Sequence, residues 1–240
     1  MPPISAWAVY YSRLKPVFVD CGDDLLVDID DLISKITLKT KVIMVTHIYG
    51  RVANMDKIAE IACMYNLRII EDAAEAHGCT WKDKMVGSFD IGCFSFYRNK
   101  IVCGEEGGAV TSNDLEFIEK VRDMKSMSFG DKHNYMHHQI GFNYRMTNSQ
   151  ASLILQSLKN VNKNITLRRK NDNKIVDFFK NQNIPARYGF KPVSMCAPFN
   201  IDATTTNAYR LSKHIMYLPV DPVLTNQQIQ NYTNILKDLI

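Results

Sequence analysis

At 240 residues the chain has room for one large domain or for a main domain with a smaller one beside it. With 46% hydrophobic and 22% charged residues it has the composition of a folded protein rather than a disordered one. The net charge of +4 is too small and too scattered to suggest nucleic acid as a partner. No uninterrupted apolar run reaches transmembrane length, and the opening Met-Pro-Pro-Ile-Ser does not read as a signal peptide. None of the six cysteines forms a C-x-x-C pair, and several sit in apolar runs, where cysteine behaves as a small core residue. A reducing, cytoplasmic setting with no membrane and no metal is the expectation.

In chain order, short apolar β-branched runs alternate with helical patterns. The segments Pro16–Asp20 (PVFVD), Val42–Thr46 (VIMVT), Arg68–Glu71 (RIIE), Ile91–Phe96 (IGCFSF) and Gly108–Thr111 (GAVT) read as strands. Between the second and third, Met55, Ile58, Ala59, Ala62 and Tyr65 recur at helical spacing, with Asn54 as N-cap. After the fifth, a run beginning at Asn113 puts Leu115, Ile118, Val121 and Met124 on one stripe. Thr147-Asn148-Ser149-Gln150 is a capping box ahead of Ala151, Ile154, Leu155, Leu158 and Val161. The polar, basic stretch from Asn160 to Lys174 then marks a boundary, giving domains of 1–160 and 161–240. A last helix opens at Thr225-x-x-Gln228 and carries Ile229, Tyr232, Leu236 and Leu239 on one face. Continuous apolar strands separated by helices predict an α/β fold with a mostly parallel sheet covered on both faces.

In such sheets ligands collect at the carboxyl ends of the strands. Two segments bring unusual residues there: IIEDAAEAHG, in which Asp72 follows a buried strand, and CFSFYRNKIVCGEEGG, in which Ser95 and then Lys100 follow another. Taken singly, each has a bland reading, because an Asp after a strand commonly caps a turn and a loop Lys is commonly a solvated charge. Taken together they suggest more. An imine-forming lysine needs a partly dry pocket, and an electron-sink cofactor needs a carboxylate on its ring nitrogen, which is the arrangement used for pyridoxal phosphate. His47, in THIYG, reads first as a structural histidine.

The segments KVIMVTHIYGRVANMD, IIEDAAEAHG, VGSFDIGCFSFYRNK, GEEGGAVTSND and GFNYRMTNSQAS, spanning Lys41 to about Arg169, resemble the DegT/DnrJ/EryC1/StrS family of sugar aminotransferases. NIPARYGFKPV and IMYLPVDPVLT resemble that family's C-terminal domain. The resemblance implies fold type I of the pyridoxal 5'-phosphate (PLP)-dependent transferases, the aspartate aminotransferase-like fold, as a partial large domain and a reduced small one. It implies that Lys100 links to the cofactor and shuttles a proton, and that Asp72 pairs with the ring nitrogen. Glu75 falls where the family places a side chain, often Gln, near the ring hydroxyl, and a glutamate there would need a shared proton or a nearby donor. Ser95 falls where a hydroxyl meets the phosphate, and Asn143 where an asparagine reaches a dimer partner's phosphate. His137, Tyr144 and Arg145 fall in the substrate neighbourhood, with Arg145 also suited to anchoring its loop.

His133 to Thr147 looks most like the branch that aminates C4 of a nucleotide-linked 4-keto-6-deoxyhexose, with glutamate as amino donor and a homodimer as the working unit. Related dehydratases carry histidine in place of the lysine, so Lys100 points to amination. The family's N-terminal quarter, with its phosphate-cradling helix start, ring-stacking aromatic residue and central strand, has no counterpart here, and the small domain is shortened. The competing expectation is therefore a shortened, inactive relative that acts as an oligomer partner or persists as a remnant.

Overall fold

The computed structural model describes residues 4–129, 136–170 and 206–212, together with Gln227, Gln230 and Asn234. It divides into one unit of Asp24–Lys159 and another of Met1–Asp23 with Asn160–Ile240.

The unit Asp24–Lys159 is built on a sheet of β1 (Val42–Thr46), β2 (Arg68–Asp72), β5 (Ile91–Ser95) and β6 (Gly108–Ser112), in the order β1-β2-β5-β6. The pairs β1–β2 and β2–β5 are parallel, whereas β6 returns antiparallel to β5. The antiparallel turn-back has a direct cause. Residues 96–107 contain no helix to carry the chain back over the sheet, so the next strand runs down beside the one just left. Helix α2 (Ile29–Lys35) precedes β1, and α3 (Met55–Met64) crosses over between β1 and β2. Asn54 caps α3 by accepting the amide of Lys57 at 3.1 Å, and Met55, Ile58, Ile61 and Ala62 are its buried positions. Tyr65 closes that helix as its C-cap and is exposed, so it leaves the expected stripe. A small hairpin of β3 (Thr80–Trp81) and β4 (Lys84–Met85) turns through Lys82 and Asp83, both at positive φ, the tight two-residue form.

Helix α4 (Leu115–Lys125) is capped by Asp114, which accepts the Phe117 amide at 3.0 Å. The capping box ahead of α5 (Asn148–Lys159) forms in both directions. Thr147 Oγ1 accepts the Gln150 amide at 3.2 Å, and Gln150 Oε1 accepts the Thr147 amide at 3.0 Å. Of the stripe expected on α5, Ile154 is buried while Leu155 and Leu158 remain exposed. Ile154 is seated against a glycine. A Cβ on Gly104 would come within 2.4 Å of the Ile154 side chain, so the glycine makes room for that one residue.

In the other unit, α1 spans Ile4–Tyr11, residues 161–170 are helical (α6), and α7 spans Thr206–Ser212. Residues 16–20 do not form the strand their composition suggests. Apolar β-branched residues favour extended backbone, but a strand exists only where a neighbour takes up its backbone groups. Asp20 does different work: its carboxylate accepts the amides of Asn207 and Ala208, each at 2.8 Å, at the N-terminus of α7. The predicted helix beginning at Thr225, including Ile229, Tyr232, Leu236 and Leu239, lies outside the described residues, although Gln227, Gln230 and Asn234 are helical. Among the described residues no helix is long and apolar enough to cross a membrane.

Two positions test this packing. A Cβ on Gly92 would fall 2.3 Å from the Gly87 Cα and 2.6 Å from its carbonyl, both backbone. Gly92→Ala is therefore expected to lower stability by about 1–3 kcal/mol, read as a lower urea midpoint with unchanged slope. Asp90 accepts from Arg68 through both oxygens and from the Ile69 amide, and the Arg68 guanidinium holds its carboxyl below the usual value. A carboxyl depressed in the folded state stabilises above its unfolded pKa, and that contribution fades as pH falls through the folded value. The stability lead of wild type over Asp90→Asn should thus shrink on acidification below about pH 4. Denaturant titrations at several pH values check this.

Candidate functional site

The carboxyl edge of the parallel pair β2–β5 gathers the residues with chemistry. The two strands are in register with Asp72 opposite Cys93, which sets Asp72 and Ser95 at the same end. Asp72 Oδ1 accepts the Ala74 amide at 3.2 Å and its carbonyl accepts the His47 amide at 3.0 Å. Burial first, and then the charge of Asp72, push the Cys93 thiol up from its ordinary value. After β2 the chain turns at once. Ala73 and Ala76 are fully buried there against Val86, a space that larger side chains would overfill.

Residues 96–107, the loop after β5, deliver Lys100. The loop is closed by backbone bonds from Phe96 to Gly107, from Gly104 to Phe96 and from Arg98 to Glu105. It is fastened to α5 by Ser157, whose hydroxyl accepts the Cys103 amide at 3.1 Å and donates to the Ile101 carbonyl at 3.3 Å. Lys100 Nζ lies 3.4 Å from Glu75 Oε1, with the side chains 16% and 18% exposed. Glu75 Oε2 accepts the amide of Tyr49 at 3.0 Å. Ser95 Oγ accepts the Tyr97 amide at 3.3 Å.

His137, Asn143, Tyr144 and Arg145 form a second, exposed group on the segment that folds back against the end of α4. Ser126 and Asn143 form an antiparallel bridge, and the amides of Phe142 and Tyr144 donate to the carbonyls of Met124 and Lys125. These bonds satisfy carbonyls that a helix end would otherwise leave open. His137 Nδ1 is 2.7 Å from the Met127 carbonyl, and Arg145 Nε donates to Asn143 Oδ1 at 3.2 Å. Phe142 and Tyr144 stack with ring centres 4.9 Å apart.

Sequence reasoning passed over Glu71. It is fully buried, and its carboxylate accepts the Gly87 and Phe89 amides, each at 2.8 Å, while His47 Nε2 stands 3.1 Å away. His47 is itself fully buried, and its Nδ1 accepts the Ala53 amide at 3.3 Å, which leaves the ring proton on Nε2 to be donated to Glu71. Its reading as a structural histidine fits this geometry. The one hint in the sequence was an acidic residue inside an otherwise apolar strand. Among the described residues no group of three or more His, Cys, Asp or Glu side chains is placed to hold a metal.

Residues 4–174 match the DegT/DnrJ/EryC1/StrS aminotransferase family. The chain belongs to that family. It is 39% identical over 175 residues to the GDP-perosamine synthase of Escherichia coli O157:H7, covering 72% of this chain and 47% of that protein. With the GDP-perosamine synthase of Caulobacter vibrioides it shares 41% identity over 169 residues, covering 69% of this chain and 45% of the relative. The chain therefore spans about half the length of the curated relatives it matches.

Among solved structures, Helicobacter pylori PseC, an aminotransferase involved in the biosynthesis of pseudoaminic acid, superposes with a TM-score of 0.86 at 20% identity, covering 99% of this chain and 77% of PseC. A DegT DnrJ EryC1 StrS aminotransferase from Brucella abortus gives a TM-score of 0.83 at 22% identity, covering 98% of this chain and 76% of its own. At such identities the likeness speaks for the fold, and the fold is the α/β, mostly parallel, type I transferase architecture expected from the sequence.

Glu71 offers a test of how the edge is held together. Glu71→Ala would leave two backbone amides and the His47 N–H without their acceptor in a buried place. The expected loss is about 3 kcal/mol or more, with Glu71→Gln milder because it keeps one oxygen. Urea melts of both variants check the order.

Proposed function

We propose that this chain performs, or carries the cofactor-holding part of, PLP-dependent transfer of an amino group from glutamate to a keto group of a nucleotide-linked 6-deoxyhexose, at C4. The observation that carries this reading is the shared strand edge, with Asp72 at the end of β2, Ser95 at the end of β5, and Lys100 held 3.4 Å from Glu75. Relatives named GDP-perosamine synthase support the C4 assignment.

The donor set fits the cofactor. A mostly buried primary amine is the nucleophile that an aldehyde cofactor requires, and Asp72 is a carboxylate suited to a protonated ring nitrogen. Glu75 would face the ring hydroxyl with the Tyr49 amide sharing its charge. Ser95 accepts from Tyr97 and keeps its own hydroxyl proton to offer a phosphate oxygen. Asn143, oriented by Arg145, would reach the phosphate held by the second copy of a homodimer. When bound, the cofactor supplies an electron sink for the carbon next to the migrating nitrogen.

The chain's own part is to hold, orient and move protons. With the cofactor bound, Lys100 would supply the amine that holds its aldehyde carbon and would carry a proton between carbons, while Asp72 would hold the ring nitrogen protonated. His137, Tyr144 and Arg145 contact the sugar nucleotide, and the Arg145 guanidinium suits a diphosphate. In this reading residues 1–160 are the partial cofactor-binding domain, 161–240 the reduced small domain, and the protein works in the cytoplasm. All of the proposed site residues fall within Asp24–Lys159.

Mixing purified protein with PLP should produce a visible absorption band that bleaches on adding glutamate and is absent from Lys100→Ala. Asp72→Asn is expected to retain most of the band while turnover with a keto sugar nucleotide falls about 100-fold or more. A wild-type chain without the band would defeat the proposal and favour the inactive oligomer partner.

A further inference from the structure

The partner of Lys100 has chemistry beyond anchorage. Glu75 Oε1 stands 3.4 Å from the amine, and both side chains are largely withdrawn from solvent. Glu75 Oε2 accepts the Tyr49 amide at 3.0 Å, so the carboxylate cannot swing away from the lysine without losing a backbone donor. Tyr49 itself is in the left-handed region at φ 56°, which a tyrosine adopts only under constraint. The constraint is visible on both sides. His47 is tied by its amide to the Asp72 carbonyl and by Nδ1 to the Ala53 amide, while Glu71 holds the other side of its ring. Cys79 Sγ reaches the Gly50 carbonyl at 3.3 Å. The aim of Glu75 at Lys100 is thus set by the backbone of the loop after β1.

A lysine that must attack an aldehyde has to shed a proton first, and the oxygen that expels water afterwards has to gain one. One carboxylate fixed beside the amine can do both. We infer that Glu75 is the proton acceptor for Lys100 and returns that proton to the departing oxygen. The inference rests on the proposal that Lys100 captures an aldehyde. The step balances. The ammonium gives a proton to Glu75, the freed lone pair forms the Nζ–carbon bond as the carbon–oxygen π bond opens, and Glu75 passes that proton to the oxygen. A second proton then follows from the nitrogen to the oxygen through the same carboxylate, the carbon–oxygen bond breaks and water leaves. The products are a protonated carbon–nitrogen double bond, water and the original carboxylate.

Glu75→Gln tests this and keeps an oxygen for the Tyr49 amide, so the loop retains its bond. Two rates at Lys100 are followed by peptide mass mapping in the cofactor-free chain. One is arylation by trinitrobenzenesulfonate, which needs only the free amine. The other is alkylation by acetaldehyde with cyanoborohydride, which needs condensation and loss of water. Removing the anion takes away what stabilises the ammonium, so arylation should rise about threefold. Condensation should fall about tenfold or more, because the proton carrier is gone.

Opposite movement is the signature of a proton-transfer role. A merely structural residue would shift both rates the same way or neither, and either result overturns the inference. Neither probe involves PLP. Opposite movement in Glu75→Gln, with no PLP band from wild type, would overturn the functional proposal and keep this one, and a normal band with parallel rates would do the reverse.

Discussion

The carboxylate of Glu71 lies inside the sheet with no exposure to water, where a carboxylate is tolerable only if both its oxygens are engaged. It meets that demand with two amides from the segment entering β5 and one ring N–H from the loop leaving β1. Those partners are far apart in sequence, so a single buried charge on the middle strand pulls both neighbouring connections to one end. Alternation along the strand then turns the next residue, Asp72, to the opposite face. The edge acid and the buried acid are consecutive residues in different surroundings, one bonded within the sheet and the other at the strand's carboxyl end.

Lys100 is positioned by different means. Its loop joins β5 to β6, and its own backbone bonds fix shape rather than place. Place comes from α5. Gly104 and Gly107 bring the loop backbone against Ile154 and Met146, and Ser157 bonds to the loop through both an amide and a carbonyl. The reciprocal capping box fixes where that helix begins and therefore which turn faces the loop. A helix more than forty residues downstream thus determines where the amine sits, and the glycines in CGEEGG are there for close approach as much as for turning.

The strands around the site were legible in the sequence because a mostly parallel sheet writes short apolar runs, as in RIIE and IGCFSF, even though burial along β1 and β2 alternates. Asp72 and Lys100 were legible for the same reason, since each follows such a run. PVFVD was misleading, because composition reports a preference for extended backbone and is silent on whether a partner strand is present. The stripe on α5 misled in a related way: periodicity identifies an apolar face but not how much of it is covered, and Gly104 admits only Ile154. The antiparallel return of β6 could have been inferred from the lack of any helical pattern between β5 and β6. Glu71 left only the hint of an acid inside an apolar strand, because its partners are mostly backbone amides, which leave no mark in a sequence.

The contrast between Asp72 and Glu75 shows how two acids in one short turn acquire different characters. Asp72 ends a strand, bonds an amide two residues ahead, and stands beside Cys93 on the adjacent strand, whose thiol is pushed up by burial first and by the Asp72 charge second. Glu75 is three residues further on, past two small alanines, where the chain has turned enough to face the lysine loop and the Tyr49 amide. Were the intervening residues larger, the turn could not tuck Ala73 and Ala76 beneath Val86, and Glu75 would not come round to the lysine. The spacing D-A-A-E is therefore a geometric instruction. It keeps one carboxylate at the strand end and sends the next to the amine, so that holding a charge and moving a proton need not compete for the same oxygen atoms.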